Sequence, residues 1–187
     1  MFRRFSPSED VSGSVQLKSS AIRSIKQALA EQYPYLESSG ALDEVLPKKD
    51  AAVMEAKGRD AHKTSFVTVD GVPVFFRFRD GPFFPTLRLL HRYPKMMPAV
   101  RVDRGAIRFV LKGADIMCPG LTSAGADVSV ELGEGAPVAV YAEGKEHAVA
   151  TGLTKMSTAD IRRLNKDVGV ATVHFLGDQL WTSPSFD

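Results

Sequence analysis

The hydrophobic pattern changes period once along the chain, near residue 51, and that change limits the architecture more than any other feature. Upstream, Ile22, Ile25, Leu29 and Tyr33 recur at helical spacing, while Arg23, Lys26, Gln27 and Glu31 fall on the rest of the same helix. Ser19 or Ser20 is the predicted N-cap, and Pro34 closes the helix. A weaker helical stretch runs through Leu36, Leu42, Val45 and Leu46 to Pro47. From Ala51 onward the pattern is that of strands: residues 64–69 and 72–78 are rich in β-branched and aromatic residues and flank Asp70-Gly71. A tight hairpin needs positive φ at both central residues, and Asp-Gly tolerates it. Pro73 then belongs near an edge or a strand start, where no ladder N–H is needed.

Pro82, Pro85, Pro94 and Pro98 interrupt the next segment and leave residues 86–92 as a short helix or extended element. A domain boundary near Pro94–Pro98 is the natural reading, which divides the chain into residues 1–94 and 95–187. Beyond it the pattern predicts a strand through Val100 and Val102, then a helix from Arg104 to about Lys112 stopped by Gly113. Strands follow at 136–141, 148–153 and 171–176, with one more helix capped by Ser157 and turning Ile161 and Leu164 inward. Short strands with two interposed helices suggest a small β-barrel or pseudo-barrel, so the chain as a whole is expected to be α+β.

Charge singles out the middle of the chain. The net charge is only +2, yet residues 48–112 hold 14 Lys/Arg against six Asp/Glu, while residues 113–187 hold five against ten. Charges segregated in this way usually gather on one surface, and a phosphate backbone is the commonest large partner for it; solvated positive loops are the alternative. Arg104, Arg108 and Lys112 follow one another at i, i+4 and i+8, beside an apolar stripe of Ile107, Val110 and Leu111. Gly113 suits a left-handed C-cap, and Pro119-Gly120 provides a second loop where backbone can approach a ligand. Helix and loops together would make an RNA cleft, or else only a structural cap on a solvated helix. Phe75, Phe76, Phe78, Phe83, Phe84 and Tyr93 alternate with Arg77, Arg79 and Arg92, a mixture that serves base stacking or core packing. Packing is the expectation for most of the rings, which leaves Arg77, Arg79, Arg88 and Arg92 as ligand candidates.

Other function classes find little support. No apolar run reaches the roughly 18 residues of a membrane span, and residues 1–5 lack a signal peptide's apolar stretch, so cytoplasm is expected. Cys118 is alone and reads as a buried small hydrophobe rather than a nucleophile. His62, His91, His147 and His174 lie far apart, which argues against a metal site. No phosphate-binding glycine loop, no Gly-x-Ser-x-Gly and no convincing carboxylate pair is present, so neither an enzyme nor a cofactor is expected.

The run from Val102-Asp103-Arg104-Gly105-Ala106-Ile107-Arg108-Phe109 through Met117-Cys118-Pro119-Gly120-Leu121-Thr122 resembles the opening of a PUA domain. Ala142-Glu143-Gly144-Lys145, Gly152 and Lys155-Met156-Ser157 resemble its later strands. Upstream, Gln16-Leu17-Lys18, Leu46-Pro47-Lys48-Lys49-Asp50 and the stretch Arg79-Asp80-Gly81-Pro82 to Arg92-Tyr93-Pro94 are similar to the malignant T-cell amplified sequence 1 (MCT-1) family, over residues 1 to about 181. The resemblance implies an N-terminal α+β pre-PUA domain followed by a C-terminal PUA pseudo-barrel. It further implies a non-enzymatic factor that binds the small ribosomal subunit and its ribosomal RNA, and forms a heterodimer with density-regulated protein. Such a factor would act in tRNA release after termination, ribosome recycling, reinitiation and tRNA placement. By position it points to Arg104, Gly105, Arg108, Lys112, Gly113, Ala114 and Pro119 as RNA contacts, with Lys145 and Lys155 as additions. Segments 36–45, 51–64 and 127–135 depart from the family pattern, so partner contacts made there do not transfer. A ribosome-assembly factor, an accessory to RNA modification and a protein adaptor with acidic partners are the competing readings.

Overall fold

The computed structural model describes residues 1–186 as two five-stranded sheets that follow one another along the chain. A single turn α1 (Pro7–Asp10) leads into β1 (Val11–Gln16), and the helices α2 (Ser19–Gln32), α3 (Pro34–Ser38) and α4 (Ala41–Val45) follow. Then β2 (Val53–Gly58), β3 (Thr64–Val69), β4 (Val72–Phe78) and the two-residue β5 (Phe84–Pro85) complete an antiparallel sheet of order β1-β2-β3-β4-β5. Asp70 and Gly71 take φ of 49° and 78°, the left-handed turn their sequence required. Pro73 pairs with Thr68 beside a register shift at the start of β4, where its missing N–H is tolerated.

The first helix differs from expectation at both ends. Lys18 occupies the N-cap and makes no side-chain cap bond, so Ser19 and Ser20 lie within the first turn. Pro34 stands at the first position of α3, where its fixed φ suits a helix start, so it opens the next helix as well as ending α2. Gly40, at φ 76°, splits the second helical stretch into α3 and α4.

Both faces of the first sheet are buried, because consecutive residues of one strand feed different cores. On β3, Val67 joins Leu29, Tyr33, Leu46 and Phe75 beneath the helices, whereas Phe66 points the other way toward Phe2, Phe76 and Phe84. Each such ring removed from water contributes roughly 1.5–3 kcal/mol. Most of the aromatics between residues 75 and 84 therefore belong to the cores, as expected.

The helix α5 (Leu87–Arg92) leads to β6 (Ala99–Val102), α6 (Ile107–Val110), β7 (Ile116–Met117) and α7 (Pro119–Thr122). They are followed by β8 (Pro137–Ala142), β9 (Ala150–Thr154), α8 (Thr158–Leu164), β10 (Val168–Phe175) and α9 (Gln179–Thr182). The second sheet has order β6-β8-β9-β10-β7; β6 runs parallel to β8 and the other pairs are antiparallel. The fold is α+β, with this curled sheet forming a β pseudo-barrel. Ser157 caps α8 by accepting the Asp160 N–H at 3.1 Å, and Ile161 is buried. Leu164, expected inward, is instead exposed at the last turn.

The sheets are tied by apolar contacts and by the two chain ends. Ala139 and Ala148 of the second half enter the helix-side core with Met96 and Met97, while Val173 and Leu180 meet Phe2 and Phe76 on the opposite face. The Gln179 N–H donates to the Phe2 carbonyl at 2.9 Å. Asp178, fully buried, accepts from the His174 ring at 2.8 Å and from the Phe175 and Trp181 N–H groups, which fixes α9 against β10.

Candidate nucleic-acid interface

The expected helix from Arg104 to Lys112 is shorter: only Ile107–Val110 are α-helical, with turns on either side. Asp103 organises its start. One carboxylate oxygen accepts the Ala106 N–H at 2.8 Å and the other accepts from Ser123 Oγ. The Ser123 hydroxyl, aided by the Ala106 and Gly105 amides, holds the Asp103 carboxyl below the usual carboxylate range. At the other end the Gly113 N–H donates to Val110 and the Ala114 N–H to Phe109, at 2.8 and 3.0 Å, a Schellman closure with Gly113 at φ 73°. A Cβ on Gly113 would stand 2.4 Å from the Phe175 ring and 2.9 Å from Arg3 Nε, so glycine is demanded by space as well as by φ.

The short helix sits on the second core by Val110, with Ile107 and Ala106 partly buried beside it, and its other residues project outward. Arg104, Arg108 and Lys112 are exposed, and none makes an ion pair among the described residues. Arg104 and Arg108 line a cleft of about 770 Å³ with Gly105 and Lys145. One acid enters it: Glu143 accepts the Arg104 backbone N–H at 3.0 Å. On the other side of Gly105 lies an apolar groove of about 570 Å³, walled by Phe109, Met117, Ala114 and Pro119. Phe109 and Met117 are 51% and 49% exposed, which is unusual for side chains of that size and marks a surface suited to an aromatic ligand face.

Seven of the residues singled out from sequence thus surround one short helix: Arg104, Gly105, Arg108, Lys112, Gly113, Ala114 and Pro119. Lys145 joins them through the cleft. Lys155 is exposed in the turn after β9 and lines neither cavity. Arg77 on β4 and Arg79 in the turn after it stand with Lys57 and Lys63 around a hollow of about 490 Å³, with the Arg77 guanidinium 4.8 Å over the Phe83 ring. Arg88 is committed elsewhere, its guanidinium 4.5 Å over the Trp181 ring and donating to the Trp181 carbonyl at 2.8 Å. Arg92 pairs with Glu44 and covers the Tyr93 ring. Leu111, assigned from sequence to the apolar stripe, is exposed beside Arg108 because the helix ends at Val110.

Sequence reasoning missed Phe109, Met117 and Glu143. For Phe109 a signal existed: it falls between Arg108 and Val110 and outside the apolar stripe, so a ring there had to face solvent or ligand. For Met117 the signal was weaker: Cys118 reads as buried, and the residue before it in an extended segment faces the other way.

A chain built this way, one α+β unit followed by a β pseudo-barrel with a basic, glycine-closed helix, is a pre-PUA/PUA protein. Residues 5–94 match the Pre-PUA-like domain and residues 98–176 match the PUA domain. The human protein malignant T-cell-amplified sequence 2 is 49% identical over 97% of both chains, and the Dictyostelium discoideum homologue of malignant T-cell-amplified sequence 1 is 46% identical over the full length of both. In structure, a hypothetical protein from Pyrococcus horikoshii OT3 superposes with a TM-score of 0.70 at 26% identity, covering 92% of this chain and 100% of that one. The chain belongs to the malignant T-cell-amplified sequence family. With its PUA domain it is an RNA-binding, translation-associated protein. Among the described residues no helix is long and apolar enough to cross a membrane.

Proposed function

We propose that the protein is a non-enzymatic cytoplasmic translation factor that docks on the small ribosomal subunit, in a heterodimer with density-regulated protein, and holds the single-stranded acceptor end of a tRNA. Its tasks would be tRNA release during recycling, reinitiation and tRNA placement. The observation that carries this reading is the pairing of three exposed, unpaired cations, Arg104, Arg108 and Lys112, with an adjoining apolar groove under Phe109 and Met117. Single-stranded RNA offers both matching parts: phosphates for the cations and unstacked base faces for the aromatic wall. RNA contacts on Arg77 and Arg79 of the residue 1–94 unit complete the docking surface, with residues 95–187 as the RNA-end module.

The test is sedimentation of the purified protein with small ribosomal subunits. The triple variant Arg104→Glu, Arg108→Glu, Lys112→Glu should leave the subunit fraction while keeping the wild-type melting temperature, because all three side chains are solvated. Cosedimentation equal to wild type would end the proposal.

A further inference from the structure

We infer that the PUA-side cleft and the basic hollow on the first sheet are the two ends of one trough, bridged by Arg3 and Arg4 of the amino-terminal arm, along which a single RNA strand runs. This deepens the RNA-binding reading and rests on it. The geometry comes from shared walls. Gly105 belongs to both the Arg104 cleft and the Phe109 groove; Asp115 joins that groove to a cavity of about 710 Å³ between the sheets; Thr64 joins this cavity to the hollow beside Arg77. The first three concavities adjoin in series; the hollow beside Arg77 opens on the helix-side face of the first sheet, so a strand reaches it by rounding the β2–β3 end, where Asp60, His62 and Lys63 lie.

The arm is held where it can serve that path. Phe2 is 4% exposed in the core shared by the two sheets, and its carbonyl accepts from Gln179, so both its side chain and its carbonyl are fixed. Arg3 and Arg4 nevertheless point out, exposed and without an ion pair among the described residues. Arg3 lies directly on the Gly113 turn, the place its Cβ clash identifies. The three acids of this cavity are engaged with backbone: Asp10 accepts from Ser6, Asp60 from His62 and Asp115 from Thr172, at 2.7, 2.7 and 2.9 Å. Asp10 and Asp60 are directed at their own turns and Asp115 at β10, which leaves the guanidiniums as the groups free to take a ligand.

At the far end, Lys57, Ser65 and Arg77 are cross-strand partners on β2, β3 and β4, so their side chains share one face of the sheet. Lys63 and Arg79 rim the hollow; Glu55 and Asp80 are its acids, and neither pairs with these cations. Cations strung along a path fit a polymer of evenly spaced phosphates better than an acidic peptide, which would favour one dense cluster. Arg77 covers the Phe83 ring at 4.8 Å and Arg79 reaches the Ala61 carbonyl at 3.5 Å, but among the described residues none of these cations has an ion pair to lose on binding.

The experiment is anisotropy titration of the full-length protein with oligouridylates of about 4 and about 16 nucleotides, spanning the short and long limits of single-strand site sizes, over a salt series. Wild type should bind the longer RNA more tightly and with a steeper salt dependence. Arg3→Gln with Arg4→Gln should leave the short RNA unaffected and flatten the long-RNA slope by about 1.4, the release expected for two single-strand phosphates. Lys57→Gln with Arg77→Gln should flatten it similarly, and Arg3→Lys with Arg4→Lys should restore it. If Arg104→Glu with Arg108→Glu spares both RNAs, the RNA-binding reading itself is wrong. If that variant loses both while the Arg3/Arg4 variant keeps the full slope, the bridge is wrong and the RNA site stands. Displacement of the long RNA from wild type by polyglutamate at equal charge concentration would overturn the trough in favour of an acidic protein partner.

Discussion

Arg88 and Arg108 come from the same basic stretch, both are exposed, and both lie against an aromatic ring, at 4.5 Å over Trp181 and 4.7 Å over Phe109. The rings differ in what they mean. Trp181 belongs to α9, far along the chain, and its carbonyl also takes a hydrogen bond from Arg88, so that cation joins α5 to the C-terminal segment. Phe109 is the next residue to Arg108, and the guanidinium keeps its donors for something outside the molecule. Local charge density is therefore a poor guide to use; what separates a structural arginine from a binding one is whether a distant segment has already claimed it.

The sharpest way to break this contrast is charge reversal in both places. Arg104→Glu with Arg108→Glu should weaken RNA binding roughly a hundredfold or more, since charge-assisted contacts are each worth about 1.5–3 kcal/mol. Arg88→Glu with Arg92→Glu should leave RNA affinity within a few-fold and instead lower the melting temperature, as exposed cation–π contacts contribute about 0.5–1 kcal/mol each. Equal losses of RNA affinity in filter binding would show that the claimed arginines are not claimed.

Two glycines sharpen the comparison in the fold itself. Gly113 and Gly144 both have φ of 73°, but a Cβ on Gly113 meets Phe175 at 2.4 Å, whereas on Gly144 it finds only Arg104 Nη2 at 3.9 Å. Gly144→Ala should cost about 1–2 kcal/mol from the left-handed backbone alone. Gly113→Ala should add overpacking of about 1–3 kcal/mol, visible as a lower denaturation midpoint with unchanged m. Matching midpoints would mean that Phe175 can move aside.

Much of this architecture was legible from short-range signals. Asp70-Gly71 fixed a hairpin because few dipeptides accept that backbone, and Ser157 marked its helix because a side-chain oxygen there meets an N–H three residues on. The core strands at Val138–Val140 and Val170–Phe175 were equally readable from β-branched runs. Long-range facts were not. Nothing local says that Glu44 takes Arg92, that Trp181 takes Arg88, or that Arg3 rests on Gly113. The α6 boundary was misjudged for a related reason: Arg104 to Lys112 has helical spacing, but Asp103 and Gly113 close turns from both sides and leave one helical turn between.

Asp103 offers a smaller test on the binding side. Asp103→Ala removes the acceptor of the Ala106 N–H and the partner of Ser123, and should cost about 1 kcal/mol, the usual loss for a capping side chain. Its carboxyl is held below the ordinary range, so its contribution is complete above the unfolded value near 4 and is lost as pH falls through the lower folded value. Chemical denaturation at pH 7 and pH 3 should therefore show a gap between wild type and variant that narrows in acid. If short-RNA affinity falls with it at pH 7, the cap also positions the cleft.

The smallest effect is expected on the structural side of the contrast, at the junction Arg88 helps to make. His91 donates to the Ala148 carbonyl at 2.8 Å and stacks near both His147 and Trp181. Burial pushes its pKa down, the Ala148 bond opposes the shift, and the nearby His147, His174 and Arg88 add to the lowering. The fold thus favours neutral His91. Its contribution is complete above the unfolded value of about 6.5 and declines as pH drops toward the lower folded value, because the unfolded chain takes up the proton first. His91→Gln keeps a donor for Ala148 and has no charge to gain. Its stability difference from wild type, measured by urea denaturation, should be flat above pH 7.5 and shift in favour of the variant from pH 6.5 downward. A wild-type curve parallel to the variant's throughout that window would remove His91 from the account of the junction and leave Arg88 and Trp181 to hold it alone.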